Sequence, residues 1–157
     1  GMTGMGVHLT DLLISMLGPV EAVVAQTARR VLDLPTGDVV TVDLRFQSGA
    51  TGFVGAVSST PYYGRFTVFG ERMWVEARDD SHPQHGGKTH LTTCGKDGVQ
   101  HTRTFDPRDP VRANLEEWAD AVANGAEYRF NDEQRIGNVA VLEAIAKSVE
   151  GGTWVTV

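Results

Sequence analysis

The distribution of hydrophobic periodicity along the chain is the feature that most limits its fold. Residues 39–46 alternate well between apolar and polar side chains, and from residue 40 the alternation is complete, as expected of a half-buried strand. Similar short segments continue to residue 105, whereas helical spacing occurs only before residue 19 and after residue 109. Because strands and helices are segregated rather than alternating, the pattern predicts an α+β domain and not a βαβ fold.

Turn residues divide the strand region into hairpins. Gly49, Gly70 and residues 95–98 separate pairs of alternating segments. The predicted strands are residues 20–32, 39–46, 51–59, 65–70, 72–77, 89–94, 99–105 and 153–157. We therefore expect a single, mostly antiparallel sheet of about six to eight strands, with helices packed on one face and the other face open.

Two helices are predicted after the strand region. Asp109 is a suitable N-cap with Pro110 at the first helical position, and residues 124–125 (Asn-Gly) end this helix. Asn131 with Gln134 predicts a capping box for the second helix, which ends at residues 151–152. Its apolar positions at helical spacing are Ile136, Val139, Leu142, Ala146 and Val149.

A further helix is predicted at the start of the chain, over residues 6–18. Its polar stripe consists of His8, Asp11 and Ser15, which recur at helical spacing. The apolar face predicted to be buried contains Leu9, Leu12, Leu13, Met16 and Leu17.

The uncovered face of the predicted sheet is a candidate interface. Three helices cannot cover both faces of so large a sheet, so this face is either solvated or in contact with a partner. The residues predicted to lie on it are Thr41, Arg45, Thr67, Phe69 and Trp74.

Composition excludes several classes of function. A chain of 157 residues suffices for one domain with its own core. The net charge of −6 argues against general binding to nucleic acid or an anionic membrane. One cysteine, Cys94, permits no intrachain disulfide, and the first apolar stretch is too short to span a bilayer. A cytoplasmic location is therefore expected.

Glycine-rich and metal-like motifs fail their context tests. Residues 1–6 resemble a dinucleotide loop but follow no strand, and residues 87–89 lack the first glycine of a P-loop. One loop region contains Asp79, Asp80, His82, His85 and His90, but their spacing matches no familiar metal site, so a solvated loop is expected. No cofactor-binding or metal-binding residue is predicted in the chain.

His8 and Asp11 remain the candidates for chemistry. In one interpretation, His8 is an ordinary residue of a helix N-terminus, and Asp11 stabilises that helix through its dipole. In the other, His8 is a general base, since imidazole titrates near neutral pH.

The stretch Gly6-Val7-His8-Leu9-Thr10-Asp11, followed by Gly18, resembles the G-x-H-x-x-D…G signature of the Gfo/Idh/MocA oxidoreductases. This signature opens the C-terminal domain of glucose–fructose oxidoreductase and inositol dehydrogenase relatives. The hairpin over residues 65–77, the helix over residues 114–125 and the closing Glu-Gly-Gly at residues 150–152 are also similar to the family. The resemblance covers essentially the whole chain, residues 2–157.

The resemblance implies a substrate-binding and oligomerisation domain that dimerises through its open sheet face. In family members a Rossmann domain precedes it and binds NAD or NADP. His8 matches the catalytic histidine, which takes a hydroxyl proton from a sugar or polyol, and Asp11 matches a positioning or substrate-binding aspartate. Because this chain begins near the signature, we expect neither nucleotide binding nor turnover from it alone.

This sequence departs from the family pattern at Gly4. Dehydrogenases of the family often have an aspartate four residues before the histidine, and the family's lysine lies in the Rossmann half. Two alternatives therefore stay open. Beside the C-terminal domain of an NAD(P)-dependent oxidoreductase, they are a stand-alone dimeric binding or assembly module without catalysis and one part of a split enzyme whose Rossmann domain is a separate chain.

Overall fold

The computed structural model describes residues 6–82 and 85–157. Its elements follow the predicted order of one helix, seven strands, two helices and a last strand. They are α1 (Val7–Leu17), β1 (Val20–Ala28), β2 (Val39–Phe46), β3 (Thr51–Val57), β4 (Gly64–Phe69), β5 (Met73–Asp79), β6 (Thr89–Gly95), β7 (Gln100–Phe105), α2 (Pro110–Asn124), α3 (Asp132–Gly151) and β8 (Val155–Thr156).

The strands form two antiparallel sheets of four strands each, with orders β3-β2-β1-β8 and β4-β5-β6-β7. The α+β class is confirmed, but the prediction of a single sheet of six to eight strands is wrong. Consecutive strands β3 and β4 are edge strands of different sheets. Their connection contains Pro61, which has no N–H to donate to a ladder, so the chain leaves the first sheet there instead of forming another hairpin.

The chain divides into two compact units. The first contains the residues up to Ser59 together with Arg129–Val157, and the second is Thr60–Tyr128. In the first unit, α3 packs on β1, and α1 packs on α3 and β3. The strands bury one face beneath these helices, and that face contributes Val20, Val23, Ala25, Val40, Val42, Leu44, Phe46 and Val54.

The predicted apolar face of α3 is not the face that it buries. Ile136 and Val139 are 69% and 65% exposed, respectively. The buried residues are Asn138, Val141, Ala144, Ile145 and Ser148. The buried face of α3 combines the apolar side chains of Val141, Ala144 and Ile145 with two polar residues that make hydrogen bonds to distant parts of the chain. Ser148 Oγ accepts from the N–H of Ala25 at 2.9 Å and donates to the carbonyl of Thr153 at 2.6 Å.

The predicted first strand ends early, at Ala28 instead of residue 32. The carboxylate of Asp38 accepts from the backbone N–H groups of Arg30, Val31 and Leu32 at 2.7, 2.7 and 3.0 Å. These N–H groups are therefore turned away from any ladder. The same bonds, that from Leu32 foremost, lower the pKa of Asp38 to about 2.

In the second unit, the β4–β5 and β6–β7 hairpins lie where turn chemistry predicted them. Helix α2 begins at the predicted cap, where Asp109 accepts from the N–H of Arg112 at 3.0 Å, and ends at Gly125 in the left-handed conformation. No residue of α2 is buried. Among the described residues of this unit, Cys94 alone is buried.

None of the helices within residues 6–82 and 85–157 is both long enough and apolar enough to cross a membrane.

Candidate functional site

The candidate site lies on α1, the helix that carries the signature histidine. Gly6 precedes the helix without a side-chain cap, and the N–H of Gly18 closes it on the carbonyl of Ile14 at 2.9 Å. Gly18 has a φ of 86°, which suits glycine and ends the helix where the sequence predicted. Gly4, the position of the departure from the family pattern, lies outside the described residues.

The polar stripe of α1 faces away from the core of the first unit. His8 and Ser15 are exposed and Asp11 is half-buried. Ser15 donates to the carbonyl of Leu12 at 2.7 Å. Within the described part of the chain, no hydrogen bond or ion pair engages the side chain of His8 or of Asp11.

The apolar face predicted for α1 is partly wrong. Leu13 is buried as expected, but Leu12 and Met16 are exposed, and the buried set is Thr10, Leu13 and Ile14. Leu12 lies one turn after His8 on the same side of α1, and Met16 lies one turn further along, about 80° around the helix from His8. The outer surface of α1, defined here as His8, Asp11, Leu12, Ser15 and Met16, thus combines ionisable groups with apolar contacts.

Beneath this surface lies a buried polar pair that the sequence did not reveal. The hydroxyl of Thr10 donates to Asn138 Oδ1 at 2.6 Å, and Asn138 Nδ2 donates to the carbonyl of Val7 at 3.1 Å. Thr10 and Asn138 are 128 residues apart. The sequence does show a threonine and an asparagine within apolar helical stretches. A single sequence does not show that their side chains bond each other.

The outer surface of α1 has the composition needed for proton transfer from a bound hydroxy compound to a general base. Imidazole titrates closer to neutral pH than any other unperturbed side chain, and a carboxylate lies one turn away on the same side. Apolar side chains beside polar ones are typical of sites that hold small organic ligands.

A second polar cluster lies in the second unit. Asp79 accepts from the Thr89 hydroxyl at 2.6 Å and from the Tyr62 hydroxyl at 3.4 Å. Partial burial, followed by the charge of Asp79, raises the pKa of Tyr62. His90 bonds Asp80 at 2.9 Å and Thr104 at 3.1 Å.

The histidines of the loop predicted to be solvated do not gather into a metal site in the described residues. Across residues 6–82 and 85–157, no group of three or more His, Cys, Asp or Glu side chains could hold a metal ion. His90 belongs to β6, and its ring nitrogens already face Asp80 and Thr104. Cys94 is buried at the end of the same strand.

The N-termini of α2 and α3 do not fit the diphosphate of a dinucleotide. Such a cofactor places its diphosphate at an open helix N-terminus. Asp109 occupies the N-terminus of α2, and Asn131 with Gln134 occupies that of α3, where Asp132 and Glu133 add negative charge. We therefore assign no step of chemistry to a nucleotide at either of these helix N-termini.

Comparison with known proteins identifies the family. Residues 2–157 match the model of the Gfo/Idh/MocA oxidoreductase family, C-terminal alpha/beta domain. The chain belongs to this family.

Members and neighbours of the Gfo/Idh/MocA family include sugar-related enzymes. A D-xylose 1-dehydrogenase (NADP(+)) from Haloferax volcanii is 33% identical over 112 residues, which make up 69% of this chain and 33% of that protein. The aldose–aldose oxidoreductase of Caulobacter crescentus, solved with glycerol, has a TM-score of 0.78 at 22% identity over 99% of this chain and 47% of that one. The WlbA dehydrogenase of Bordetella pertussis, solved with NADH and UDP-GlcNAcA, has a TM-score of 0.75 at 19% identity, covering 99% and 44%.

The chain therefore spans about a third of this curated relative and just under half of these solved structures. At these identities, the two structural matches show the shared fold alone.

Proposed function

We propose that this chain is the substrate-binding and oligomerisation domain of an NAD(P)-dependent oxidoreductase that acts on a sugar, a polyol or a related hydroxy compound. The observation that carries the proposal is the exposed His8, with Asp11 one turn away, in a chain that matches the Gfo/Idh/MocA C-terminal domain and whose Gly6–Asp11 stretch resembles the family signature. The names of the relatives, which include a D-xylose dehydrogenase and an aldose–aldose oxidoreductase, support the substrate class.

In this proposal His8 is the general base. A neutral imidazole accepts the proton of a substrate hydroxyl as that carbon is oxidised. Asp11 accepts a hydrogen bond from a second hydroxyl of the same ligand and orients it. Leu12, which is exposed and lies one turn from His8 on the same side of α1, packs against the C–H surface of the ligand.

The experiment is a substrate screen with the intact oxidoreductase that carries this chain. NAD+ and NADP+ reduction is followed at 340 nm with a panel of aldoses and polyols that includes D-xylose. We expect His8→Ala to lower kcat by about 10²–10⁴-fold, the range for a lost general base.

His101→Ala is the matched control, because His101 is an exposed histidine of β7 in the other unit. It should retain wild-type turnover. Equal rates for His8→Ala and His101→Ala would reject His8 as the base.

The nucleotide is proposed to bind outside the described residues of this chain. The carboxylate of Asp109 caps the N-terminus of α2. Asn131 caps that of α3, whose first turn also carries two carboxylates. Both helix N-termini therefore disfavour a diphosphate. Titration of this chain with NADH and NADPH should therefore give no binding in the micromolar range. A micromolar Kd for the chain alone would contradict this part of the proposal.

Dimerisation is proposed through the open face of the sheet β3-β2-β1-β8. This face carries Thr41, Arg45 and the exposed ring of Phe53, opposite the face covered by α1 and α3. Thr67, Phe69 and Trp74, which the sequence placed on the same face, lie instead on the other sheet. A mixed polar and apolar face of this kind is typical of a protein interface.

Light scattering should give a mass near twice the 17.0 kDa of the chain. Phe53→Glu should shift it toward the monomer by placing an unpaired charge in the interface, whereas Phe69→Glu in the other unit should not. A monomer at high micromolar concentration would contradict this proposal.

The single cysteine and the acidic composition support a cytoplasmic location for this domain. The alternative function is a dimeric binding or assembly module without chemistry. A confirmed dimer, together with no turnover on any hydroxy compound in the screen, would favour that alternative.

A further inference from the structure

The sequence of α1 offers two faces that could be buried. One contains Leu9, Leu12, Leu13, Met16 and Leu17, which give the larger apolar area. The other, which the structure buries, contains Gly6, Thr10, Leu13 and Ile14. The centres of these faces differ by about a quarter of a turn, since each residue advances about 100° around the helix.

Apolar burial alone would favour the first face, so another interaction must select the second. Thr10 and Asn138 are both buried, and both the oxygen and the nitrogen of the Asn138 amide form hydrogen bonds with α1. Its oxygen accepts from Thr10 at 2.6 Å, and its nitrogen donates to the carbonyl of Val7 at 3.1 Å. Hydrogen bonds are directional, whereas apolar contacts tolerate sliding, and a buried amide left unpaired is costly.

The chosen rotation determines where His8 points. Thr10 is two residues after His8 and therefore lies about 200° from it around the helix. With Thr10 turned toward α3, His8 faces directly outward. Burial of the first face, which contains Met16, would cover Met16 and would turn His8 to the side of α1, toward the surface beside the helix.

We propose that Thr10 and Asn138 are positioning residues that select the rotation of α1 and thereby present His8 to the substrate. The catalytic part of this inference rests on the proposed function. The rotation itself does not, because it follows from the contacts between α1 and α3.

The test uses Met16 as a built-in reporter. Met16 is 51% exposed on the outer surface of α1, and Met73 of the second unit is 44% exposed. Their oxidation by hydrogen peroxide in the full chain is followed by fragment-ion mass spectrometry. We expect Thr10→Val, which removes the hydroxyl and keeps the shape, to slow oxidation of Met16 at least threefold while Met73 is unchanged.

Matched variants separate rotation from a general loss of stability. Thr10→Ser keeps the hydroxyl and should restore the wild-type oxidation rate of Met16. Ser148→Ala removes another fully buried hydroxyl of the same unit, one that bonds β1 instead of α1, and should leave that rate unchanged. Asn138→Leu should act like Thr10→Val. If circular dichroism shows that Asn138→Leu is unfolded, the Thr10 series carries the test.

Unchanged or faster oxidation of Met16 in Thr10→Val, relative to Ser148→Ala, would overturn the inference. In the intact enzyme, with the substrate found by the screen, Thr10→Val should lower kcat at least tenfold with KM nearly unchanged. If His8→Ala leaves turnover intact while Met16 is protected in Thr10→Val, the proposed function fails and the helix rotation stands. If His8→Ala abolishes turnover but Thr10→Val changes Met16 oxidation and kcat no more than Ser148→Ala does, the positioning role alone fails.

Discussion

The two units each contain a four-stranded antiparallel sheet, yet they bury their residues very differently. In the first unit two helices cover one sheet face, and four polar residues, Thr10, Asp38, Asn138 and Ser148, are buried together with an extensive apolar core. Among the described residues of the second unit, only Cys94 is buried. Helix α2 contributes no buried residue to that unit.

Strand alternation is therefore insufficient to make a core. A sheet becomes stable when one face is removed from water by another layer. In the first unit, α1 and α3 supply that layer, so buried polar groups there can form short, directional hydrogen bonds. In the second unit, regular pairing and turns are present, but most side chains stay accessible. We expect mutations to affect the free energy of unfolding accordingly.

The largest difference should come from two phenylalanines at the ends of strands. Phe46, in β2, is 1% exposed and packs beside Gly52, whereas Phe69, in β4, is 79% exposed. Phe46→Ala should lower the free energy of unfolding by about 3–5 kcal/mol, since it leaves a cavity in the core. Phe69→Ala should change it by less than about 0.5 kcal/mol. Urea titrations measure both, and equal losses would show that the second unit has a core of its own.

A smaller difference is expected for hydroxyl groups. Ser148 is fully buried and bonds the backbone at Ala25 and Thr153. Ser148→Ala should cost about 1–3 kcal/mol because it leaves those backbone groups without their partner. Thr102 shares an exposed cross-strand bond with Thr92 at 2.9 Å, and Thr102→Ala should cost less than about 0.5 kcal/mol. If thermal and urea unfolding show that Ser148→Ala leaves the free energy of unfolding unchanged, water or a rearranged backbone replaces the hydrogen bonds of Ser148.

The smallest effect is expected for Asp38→Asn, and its size should depend on pH. Backbone hydrogen bonds lower the pKa of Asp38 from 3.8 to about 2. A carboxylate with a lowered pKa in the folded state stabilises the protein fully above the unfolded value, and this stabilisation is lost as the pH falls toward the folded value. The decrease in Tm caused by Asp38→Asn should therefore be greatest near pH 7 and shrink between pH 4 and pH 2.

Asp79→Asn supplies the comparison from the second unit, because the Asp79 carboxylate accepts from side-chain hydroxyls and not from a set of backbone N–H groups. Its effect on Tm at pH 7 should be smaller. A decrease for Asp38→Asn that is the same at every pH would contradict the role assigned to the charge.

Local signals predicted much of the secondary structure because their chemistry is local. The caps at Asp109 and Asn131 and the end of α1 at Gly18 are where the sequence placed them. Each satisfies backbone groups of a helix terminus within a few residues along the chain, so no distant partner is needed. The outward stripe of His8, Asp11 and Ser15 was also predicted correctly.

Predictions that required a distant partner were less accurate. The buried faces of α1 and α3 were misassigned because both helices carry apolar residues on more than one side. The choice between the sides depends on Asn138 and Ser148, whose partners Val7, Thr10 and Ala25 are far away in the sequence. The early end of β1 depends likewise on three backbone bonds to Asp38, which no periodicity reports.

The sequence by itself determined the α+β class, the order of the elements, the family and the outward position of His8, because periodicity, caps and a short motif carry that information locally. Tertiary structure decided that the strands form two sheets and which helix faces are buried. It also decided that the buried amide of Asn138 bonds α1, the helix that carries His8. These outcomes depend on which of several similar apolar surfaces meet in space. Directional hydrogen bonds between distant residues settle that choice, and a single sequence does not reveal the pairing.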